Sequence, residues 1–210
     1  MAPGRLAAAP KKSAGEAAHL VVLDETGLML SPLVRRSWAP KGQTPVLETR
    51  GRYREKVSVI GAVTVSPVAQ RLGFYFATDP KNSIGPAGVV AFLSDLLKHL
   101  RGKVIVIWDG GGSHKGPRIR EFLAKHPRLT VERLPPYCPI LNPAEQVWTW
   151  LKYGKLANFA PQDVEEVHEG TLEYLIELKH NHQLLKALWN GSELPFPQRI
   201  PKQAALPADQ

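Results

Sequence analysis

Short apolar runs rich in β-branched residues alternate along this chain with segments of helical periodicity, and this alternation restricts the fold more than any other feature. The runs at 18–24 and 104–108 are far shorter than the roughly 18 residues that would span a bilayer, so they predict buried strands. Two further runs, 57–65 and 71–79, are separated by a short turn, and with the first run they predict three antiparallel strands. A folded domain with a central sheet is therefore expected.

Segments of helical periodicity accompany the later strands. In chain order the predicted elements are a helix over 85–100, the strand at 104–108, a helix around 117–125, a strand over 129–134, and helices over 142–154 and 163–180. The predicted fold class is α/β, with a mixed five-stranded sheet, three antiparallel strands and then parallel strands, flanked by helices. This order resembles the ribonuclease H-like arrangement, although element order alone does not specify a function.

The length of 210 residues is enough for one domain with a full core and too short for two comfortable ones. We predict a single domain over residues 17–190. Residues 1–16 are rich in Ala, Pro and Lys, and residues 191–210 are rich in proline without apolar periodicity. Both ends are therefore predicted to be flexible tails.

The charge of the chain favours a polyanionic partner. Its net charge of +8 and pI near 9.7 would raise the local concentration of phosphate backbones around it. Cys138 is the only cysteine, which excludes an intrachain disulfide and a four-cysteine zinc site and fits a reducing compartment. The first residues have no long apolar centre and so do not predict a secretory signal. We expect a cytoplasmic, nucleoid-associated protein without a membrane partner.

Three carboxylates lie where such a fold would bring them together. Asp24 is predicted to end the first strand, Asp109 follows the strand at 104–108, and Glu145 opens the helix over 142–154. Carboxylates within a few ångström repel one another unless cations neutralise them, and hard oxygen ligands suit Mg²⁺ or Mn²⁺. Two such ions about 4 Å apart can stabilise both the attacking and the leaving oxygen of an in-line displacement at phosphorus. The three residues therefore predict metal-dependent phosphodiester cleavage.

Each carboxylate also has a purely structural explanation. An Asp after a strand is commonly a turn residue, and this applies to Asp24 and to Asp109. Asn142 is a suitable N-cap and Pro143 a suitable first helical residue, so Glu145 fits the reciprocal partner of a capping box. We expect Glu145 to serve both as a helix cap and as a metal ligand.

Three longer motifs contain these carboxylates: LDETGLMLSPLVRRSWAPKGQTP, VIVIWDGGGSHKG and LPPYCPILNPAEQVWTWLK. Their order and spacing resemble the DDE transposases of the mariner superfamily, in particular its bacterial insertion-sequence branch, over about residues 18–180. The third motif is the most specific, and the 35 residues between Asp109 and Glu145 are close to the spacing of that superfamily's catalytic pair. The resemblance implies that Asp24, Asp109 and Glu145 are the metal ligands of a DNA transposase.

Two positions depart from the motifs of similar proteins. The residue after the second Asp is often Asn in relatives, whereas here it is Gly110 in a run of three glycines, which could soften the loop and the metal site. Relatives commonly carry Ser where this chain has Cys138, and we expect little consequence from that difference.

Several neighbours of the three carboxylates are candidate functional residues. Glu25 adjoins Asp24, but adjacent strand residues point to opposite faces, so a structural role is expected for it. Trp148, Thr149 and Lys152 follow Glu145 along one helical face. Basic residues between 35 and 56 outnumber acidic ones, which suits a DNA-tracking surface, with a solvated surface as the alternative. The candidate DNA contacts are Arg35, Arg36, Lys41, Arg52, Arg54, His114, Lys115 and Lys152.

The sequence as a whole predicts the catalytic domain of a DNA transposase, with transposon ends and target DNA as partners, two Mg²⁺ or Mn²⁺ ions as cofactors and a homodimer on DNA. The alternative is a transposase-derived DNA-binding or assembly protein without catalysis. It is favoured by the 23 residues that precede Asp24, where related transposases carry a helix-turn-helix module. We expect that module to be separately encoded, to be produced by a frameshift, or to be missing if the element is decayed. A nuclease without strand transfer would use the same site.

Overall fold

A mixed five-stranded sheet lies at the centre of the protein, whose computed structural model describes residues 8–48 and 55–197. The strands are β1 (His19–Met29), β2 (Lys56–Val65), β3 (Leu72–Asp79), β4 (Val104–Trp108) and β5 (Leu129–Arg133). Their order in the sheet is β3-β2-β1-β4-β5. The β1–β2 and β2–β3 pairs are antiparallel, whereas the β1–β4 and β4–β5 pairs are parallel. The predicted sheet, with three antiparallel strands followed by parallel ones, is confirmed.

Helices cover both faces of this sheet. They are α1 (Ala8–Gly15), α2 (Pro86–His99), α3 (Pro117–Lys125), α4 (Pro143–Thr149), α5 (Val164–His180) and α6 (His182–Asn190), and a π-helix (Trp150–Lys155) continues α4. Helices α2 and α3 pack with one apolar cluster, and α4, α5 and α6 pack with the other. No helix in the described part of the chain is long and apolar enough to cross a membrane.

Strand β1 is buried on both faces, which explains its continuous apolar run. Leu20 and Val22 belong to the core cluster under α4, α5 and α6, whereas Val21 and Leu23 belong to the cluster under α2 and α3. The same alternation continues beyond Leu23 and directs neighbouring polar residues to opposite faces of the sheet.

The prediction that β1 ends at Asp24 is wrong. The strand continues to Met29 because Thr26 and Gly27, which resemble a turn in the sequence, remain paired with Val59 and Ser58 of β2. Asp24 therefore lies in the interior of a strand and not in a flexible turn.

Parts of both predicted tails lie against the core in the described part of the chain, and their flexibility stays a prediction. Residues 8–15 form α1, in which Ala9 and Ser13 are buried and Lys12 forms an ion pair of 3.1 Å with Glu132 of β5. Near the other end, Leu194 is buried and Phe196 packs edge-on against Trp189. At both ends these contacts bury apolar surface against the core. Residues 1–7 and 198–210 lie outside the described part.

Gly61 of β2 provides the space in which a side chain of α4 reaches the centre of the sheet. It lies opposite Asp24 in the β1–β2 register, and a Cβ at this position would lie 2.7 Å from Cη2 of Trp148 and 3.2 Å from Cε2 of Phe74. Because the Trp148 ring is itself buried, it has little room to move away.

We expect Gly61→Ala to reduce the free energy of unfolding by about 1–3 kcal/mol, because overpacking forces buried rings out of their positions. Urea denaturation would measure the loss. Gly112→Ala is the matched control, since a Cβ there has nothing within 4 Å. Equal stability of the two variants would contradict the close packing described for Trp148.

Candidate active site

Asp24, Asp109 and Glu145 line one cavity of about 720 Å³. Strand β4 pairs with β1 as far as Val22 and Ile107, and Asp24 and Asp109 each lie two residues beyond that pair. Asp24 therefore shares the face of Val22, and Asp109 follows the last residue of the adjoining strand at the same edge of the sheet. Glu145 joins them from the first turn of α4. The structure thus brings together the three residues that the sequence predicted as a site.

Asp24 is held by hydrogen bonds to both of its carboxylate oxygens. Oδ1 accepts from the backbone N–H of Glu25 at 3.0 Å. Oδ2 accepts from Nδ2 of Asn142 at 2.9 Å and from Nε1 of Trp148 at 3.2 Å. Only 7% of Asp24 is exposed. These donors restrict the carboxylate to one orientation. Asn142 is the N-cap of α4 and Trp148 lies within α4, so this helix and its cap position Asp24 as well as Glu145.

The environment of Asp24 opposes its negative charge. Burial, followed by the charge of Glu145, raises the pKa of Asp24 to about 7. Lys152 is half-buried nearby; burial lowers its pKa, while the charges of Glu145 and Asp24 act in the opposite direction. A cation in the cavity would relieve the repulsion between the two carboxylates.

The raised pKa of Asp24 predicts a pH-dependent stability in metal-free protein. In the unfolded chain Asp24 ionises near its ordinary pKa of about 3.9, whereas in the folded chain it ionises near 7. The proton bound to Asp24 makes its full contribution to the free energy of unfolding below about pH 4, and this contribution is lost as the pH rises towards 7. Since a tenfold change in proton affinity is worth about 1.4 kcal/mol, this loss is at most roughly 4 kcal/mol.

We expect Asp24→Asn to remove this component of the pH dependence. Thermal unfolding of the wild-type chain and of Asp24→Asn in EDTA between pH 4 and pH 8 would test this expectation. As the pH rises, the unfolding temperature of the variant should increase relative to that of the wild-type chain. A difference that does not change with pH would contradict the raised pKa.

Asp109 is oriented by the loop that follows β4. Its Oδ1 accepts a hydrogen bond of 2.8 Å from the backbone N–H of Gly111 and lies 2.8 Å from Nδ1 of His114. A Cβ at Gly111 would lie 2.8 Å from the same oxygen. The glycine run that departs from the family motif thus allows the backbone to approach the carboxylate closely. The side chain of Asp109 remains about half exposed, and its other oxygen faces no hydrogen-bond donor among the described residues.

His114 connects Asp109 with Glu25 on the other face of the sheet. Its Nε2 lies 3.0 Å from Oε1 of Glu25, and its ring stacks on Trp108 with centroids 4.6 Å apart. Burial alone would lower the pKa of His114, but the hydrogen bond and charge of Glu25 and the charge of Asp109 together raise it. The expected structural role of Glu25 is therefore observed as a contact that orients His114.

The prediction that His114 contacts DNA does not fit its position. Only 3% of the residue is exposed, and both ring nitrogens are occupied by carboxylates. Trp108 covers one face of the ring and thereby excludes it from the surface.

Glu145 is not the partner in a reciprocal capping box. Asn142 caps α4 as predicted, with Oδ1 accepting from the N–H of Ala144 at 3.0 Å, but its own N–H donates to the carbonyl of Pro139 at 2.9 Å. The Glu145 carboxylate has no hydrogen bond among the described residues and faces the cavity. Our expectation of a capping role for Glu145 is wrong because the backbone N–H of Asn142 already donates to the carbonyl of Pro139 and is not available to the Glu145 carboxylate.

The predicted DNA contacts are distributed unequally around the cavity. Lys115 is exposed and lines it, and Lys152 lies near Asp24 and Glu145. Arg35 is exposed, but its guanidinium donates to the carbonyl of Tyr153 at 2.8 Å. Arg36 and Lys41 are exposed in the segment between β1 and β2. Arg52 and Arg54 lie outside the described residues.

Sequence reasoning missed that Asn142 and Trp148 hold Asp24. Their spacing could have indicated this role, because Asn142 lies one helical turn before Glu145 and Trp148 lies one turn after it, on the same side of the helix. It also missed Tyr137, which is fully exposed at the cavity with a φ of 58°. A left-handed conformation is uncommon for a bulky residue, and nothing in the local sequence indicates it.

The donors around the cavity fit a hard divalent cation, because the free ligand atoms are carboxylate oxygens of Asp109 and Glu145 beside the buried Asp24. Within residues 8–48 and 55–197, however, no three His, Cys, Asp or Glu side chains form a ready-made group that could hold a metal ion. Among the described residues the three carboxylates therefore line one cavity without forming such a group.

Comparison with solved structures supports the ribonuclease H-like fold of DDE transposases. The chain is similar to the Mos1 strand transfer complex, with a TM-score of 0.61 and 20% identity over 90% of this chain and 54% of that chain. It is similar to the Mos1 mariner paired-end complex with Mn, with a TM-score of 0.57 and 17% identity over 91% and 59% of the two chains. The catalytic domain of Mos1 mariner transposase gives a TM-score of 0.52 and 14% identity over 91% and 88%.

These likenesses establish the fold, and the chain spans less than two thirds of the transposases in the two complexes. No curated protein sequence matches the chain. Residues 19–168, well over half of the chain and including all three carboxylates, match the family model described as DDE superfamily endonuclease. With this match and with Asp24, Asp109 and Glu145 on one cavity, the protein belongs to the DDE superfamily of endonucleases.

Proposed function

We propose that this chain is the catalytic domain of a DNA transposase of the mariner superfamily, from its bacterial insertion-sequence branch. It cleaves phosphodiester bonds at transposon ends and joins the liberated 3′ hydroxyl to target DNA. The observation that carries the proposal is the convergence of Asp24, Asp109 and Glu145 on one cavity in a DDE endonuclease domain. The similarity of the fold to a strand transfer complex supports the second step.

Asp24, Asp109 and Glu145 would hold two Mg²⁺ or Mn²⁺ ions. The donor chemistry of the cavity supports this assignment, as do the similar structures with Mn and with Mg. When bound, the ions would stabilise charge on the attacking and leaving oxygens of the phosphoryl transfer. Other residues of this chain would orient the metal ligands and position the DNA.

Two sets of side chains orient the carboxylates. Asn142 and Trp148 hold Asp24, and Gly111 and His114 hold Asp109. Donors that are already bonded to a carboxylate limit its rotation, so less order must be imposed when the ions and the DNA bind.

Positive charge near the cavity would position the DNA backbone. Lys115 at the cavity wall and Lys152 beside Glu145 are the nearest candidates among the predicted contacts. Arg36 and Lys41 on the exposed segment after β1 would contact more distant phosphates. The guanidinium of Arg35, which donates to the backbone carbonyl of Tyr153, would also contact a phosphate of the DNA.

The protein is further proposed to act as a homodimer on DNA, together with a helix-turn-helix module that reads the transposon end. Paired-end complexes among the similar structures support the dimer.

A cleavage assay would test the proposed function. The protein is incubated with duplex DNA carrying the inverted repeats that flank its reading frame, with Mg²⁺ or EDTA, and nicked products are resolved by denaturing electrophoresis. We expect Mg²⁺-dependent nicks that leave a ligatable 3′ hydroxyl, followed by joining to a second duplex. Tight DNA binding with no cleavage in Mg²⁺ or Mn²⁺ would instead favour the alternative of a non-catalytic DNA-binding protein.

A further inference from the structure

A second cavity, of about 530 Å³, lies between α3 and β5 beside the active-site cavity. We call it the α3–β5 cleft. Its volume falls within the range of about 300–1,000 Å³ that is usual for small-ligand pockets, which is larger than a single ion requires. Its walls are apolar at Trp108, Ile119, Leu123 and Val131.

The charged groups of this cleft are mainly cations without partners. Lys115, Arg120 and Arg133 line it, are exposed, and form no ion pair or side-chain hydrogen bond within the described residues. Among the described residues that line it, Glu132 is the one acid, and Lys12 of α1 lies 3.1 Å from Glu132 and offsets its charge. Three unpaired cations around a concave surface attract an anion.

The backbone at one end of the cleft adds to this positive potential. Helix α3 begins there after Gly116, whose φ is 106°, and no side chain caps its first turn. The free N–H groups of a helix N-terminus favour negative charge, and phosphate groups in particular.

The cleft is continuous with the active site. Lys115 and Arg133 line both cavities. Arg133 pairs with Trp108 in the β4–β5 register, so it lies directly beside the position from which Asp109 extends. A strand whose phosphate is at Asp109 can therefore pass over the end of β4 into the α3–β5 cleft.

We propose that the α3–β5 cleft binds the backbone of a single DNA strand immediately next to the scissile phosphate. This inference rests on the proposed function, because it assumes that DNA is cleaved at the three carboxylates. The cations and the helix N-terminus would contact successive phosphates. The volume suits a nucleotide-sized segment of one strand rather than a duplex.

Arg120 is the residue that tests this proposal, because it lines the cleft but not the active-site cavity. Binding is measured by fluorescence anisotropy with two DNAs: a duplex that ends at the cleavage site, and the same duplex with a short single-stranded extension beyond it. We expect the extension to tighten binding by the wild-type chain and Arg120→Glu to remove most of that gain, about tenfold or more. With Arg120→Ala, the slope of log K against log salt for the extended DNA is expected to fall by about 0.7.

Arg118→Glu is the matched control, since Arg118 is exposed on the same helix and does not line the cleft. It carries the same charge change and should keep the gain from the extension. Circular dichroism would verify that each variant is folded.

Three results would overturn the proposal: no gain from the extension in the wild-type chain, an undiminished gain in Arg120→Glu, or equal losses in the Arg118 and Arg120 variants. Competition by an acidic peptide as effective as the extension would also overturn it. In each case Mg²⁺-dependent cleavage by the wild-type chain would remain, so failure of the cleft is distinguishable from failure of the proposed function. Loss of that cleavage altogether would instead remove the premise on which the cleft assignment depends.

Discussion

Asp24→Asn, Asp109→Asn and Glu145→Gln should each abolish metal-dependent DNA cleavage while leaving the protein folded. Each change removes one negative charge from a cavity in which three carboxylates are available to neutralise divalent cations. Metal ions contribute several kcal/mol to stabilising the charge of such a transition state, so a loss of about 10³-fold or more in cleavage rate is expected. Single-turnover assays in Mg²⁺ and in Mn²⁺ would measure it.

Glu121→Gln is a suitable control for these substitutions. Glu121 is exposed on α3, where its carboxylate forms an ordinary surface ion pair of 2.7 Å with Lys125. Its replacement should leave both cleavage and stability close to wild type. If all three site variants retained cleavage in Mg²⁺, the catalytic assignment would be untenable.

His114→Ala should weaken metal binding without removing any ligand. The ring of His114 contacts Asp109 at 2.8 Å and is itself fixed by Glu25 at 3.0 Å and by stacking on Trp108. Loss of a group that orients a metal ligand typically costs about 10- to 100-fold in metal affinity or activity. The Mn²⁺ concentration that half-saturates binding, measured by electron paramagnetic resonance, should rise by that factor, and Glu25→Gln should cause a smaller rise in the same direction.

A purely structural role for His114 predicts a different pattern. In that case the variant would lose thermal stability in EDTA, but its folded fraction would bind Mn²⁺ normally. His180→Ala, at an exposed histidine on α5, is the control and should change neither property. Normal Mn²⁺ affinity in folded His114→Ala would exclude an orienting role.

The positions of strands and of the three carboxylates were predictable because they depend on local patterns. Valine-rich runs locate β1 and β4, and Pro143 after Asn142 locates the start of α4. The end of β1 was not predictable, because Thr26 and Gly27 have turn-like character and stay in the strand only through pairing with β2. Tertiary pairing overrides local propensity at that point.

The contacts that orient the site depend on pairs of residues far apart in the sequence. Trp148 and Asp24 are separated by 124 positions, and His114 and Glu25 by 89. The residue types alone are compatible with many partners, so neither the burial of His114 nor the hydrogen bond of Trp148 could be inferred. The spacing of Glu145 and Lys152 predicted that they lie near each other, and the charge of Glu145 does act on Lys152, but the π-helix that carries Lys152 was not predicted.

Because Asp24 lies inside β1 and Glu25 follows it, the two faces of the sheet receive carboxylates from consecutive residues. A slip of β1 by one residue against β2 that brought Glu25 to the place of Asp24 would also move Asp24 to the place of Leu23, in the apolar core of the opposite face. Insertions and deletions before residue 24 that are absorbed within the strand should thus inactivate the enzyme, even where one acid takes the place of another. Natural length variation is expected instead in the segment between β1 and β2, where it leaves the register of Asp24 unchanged.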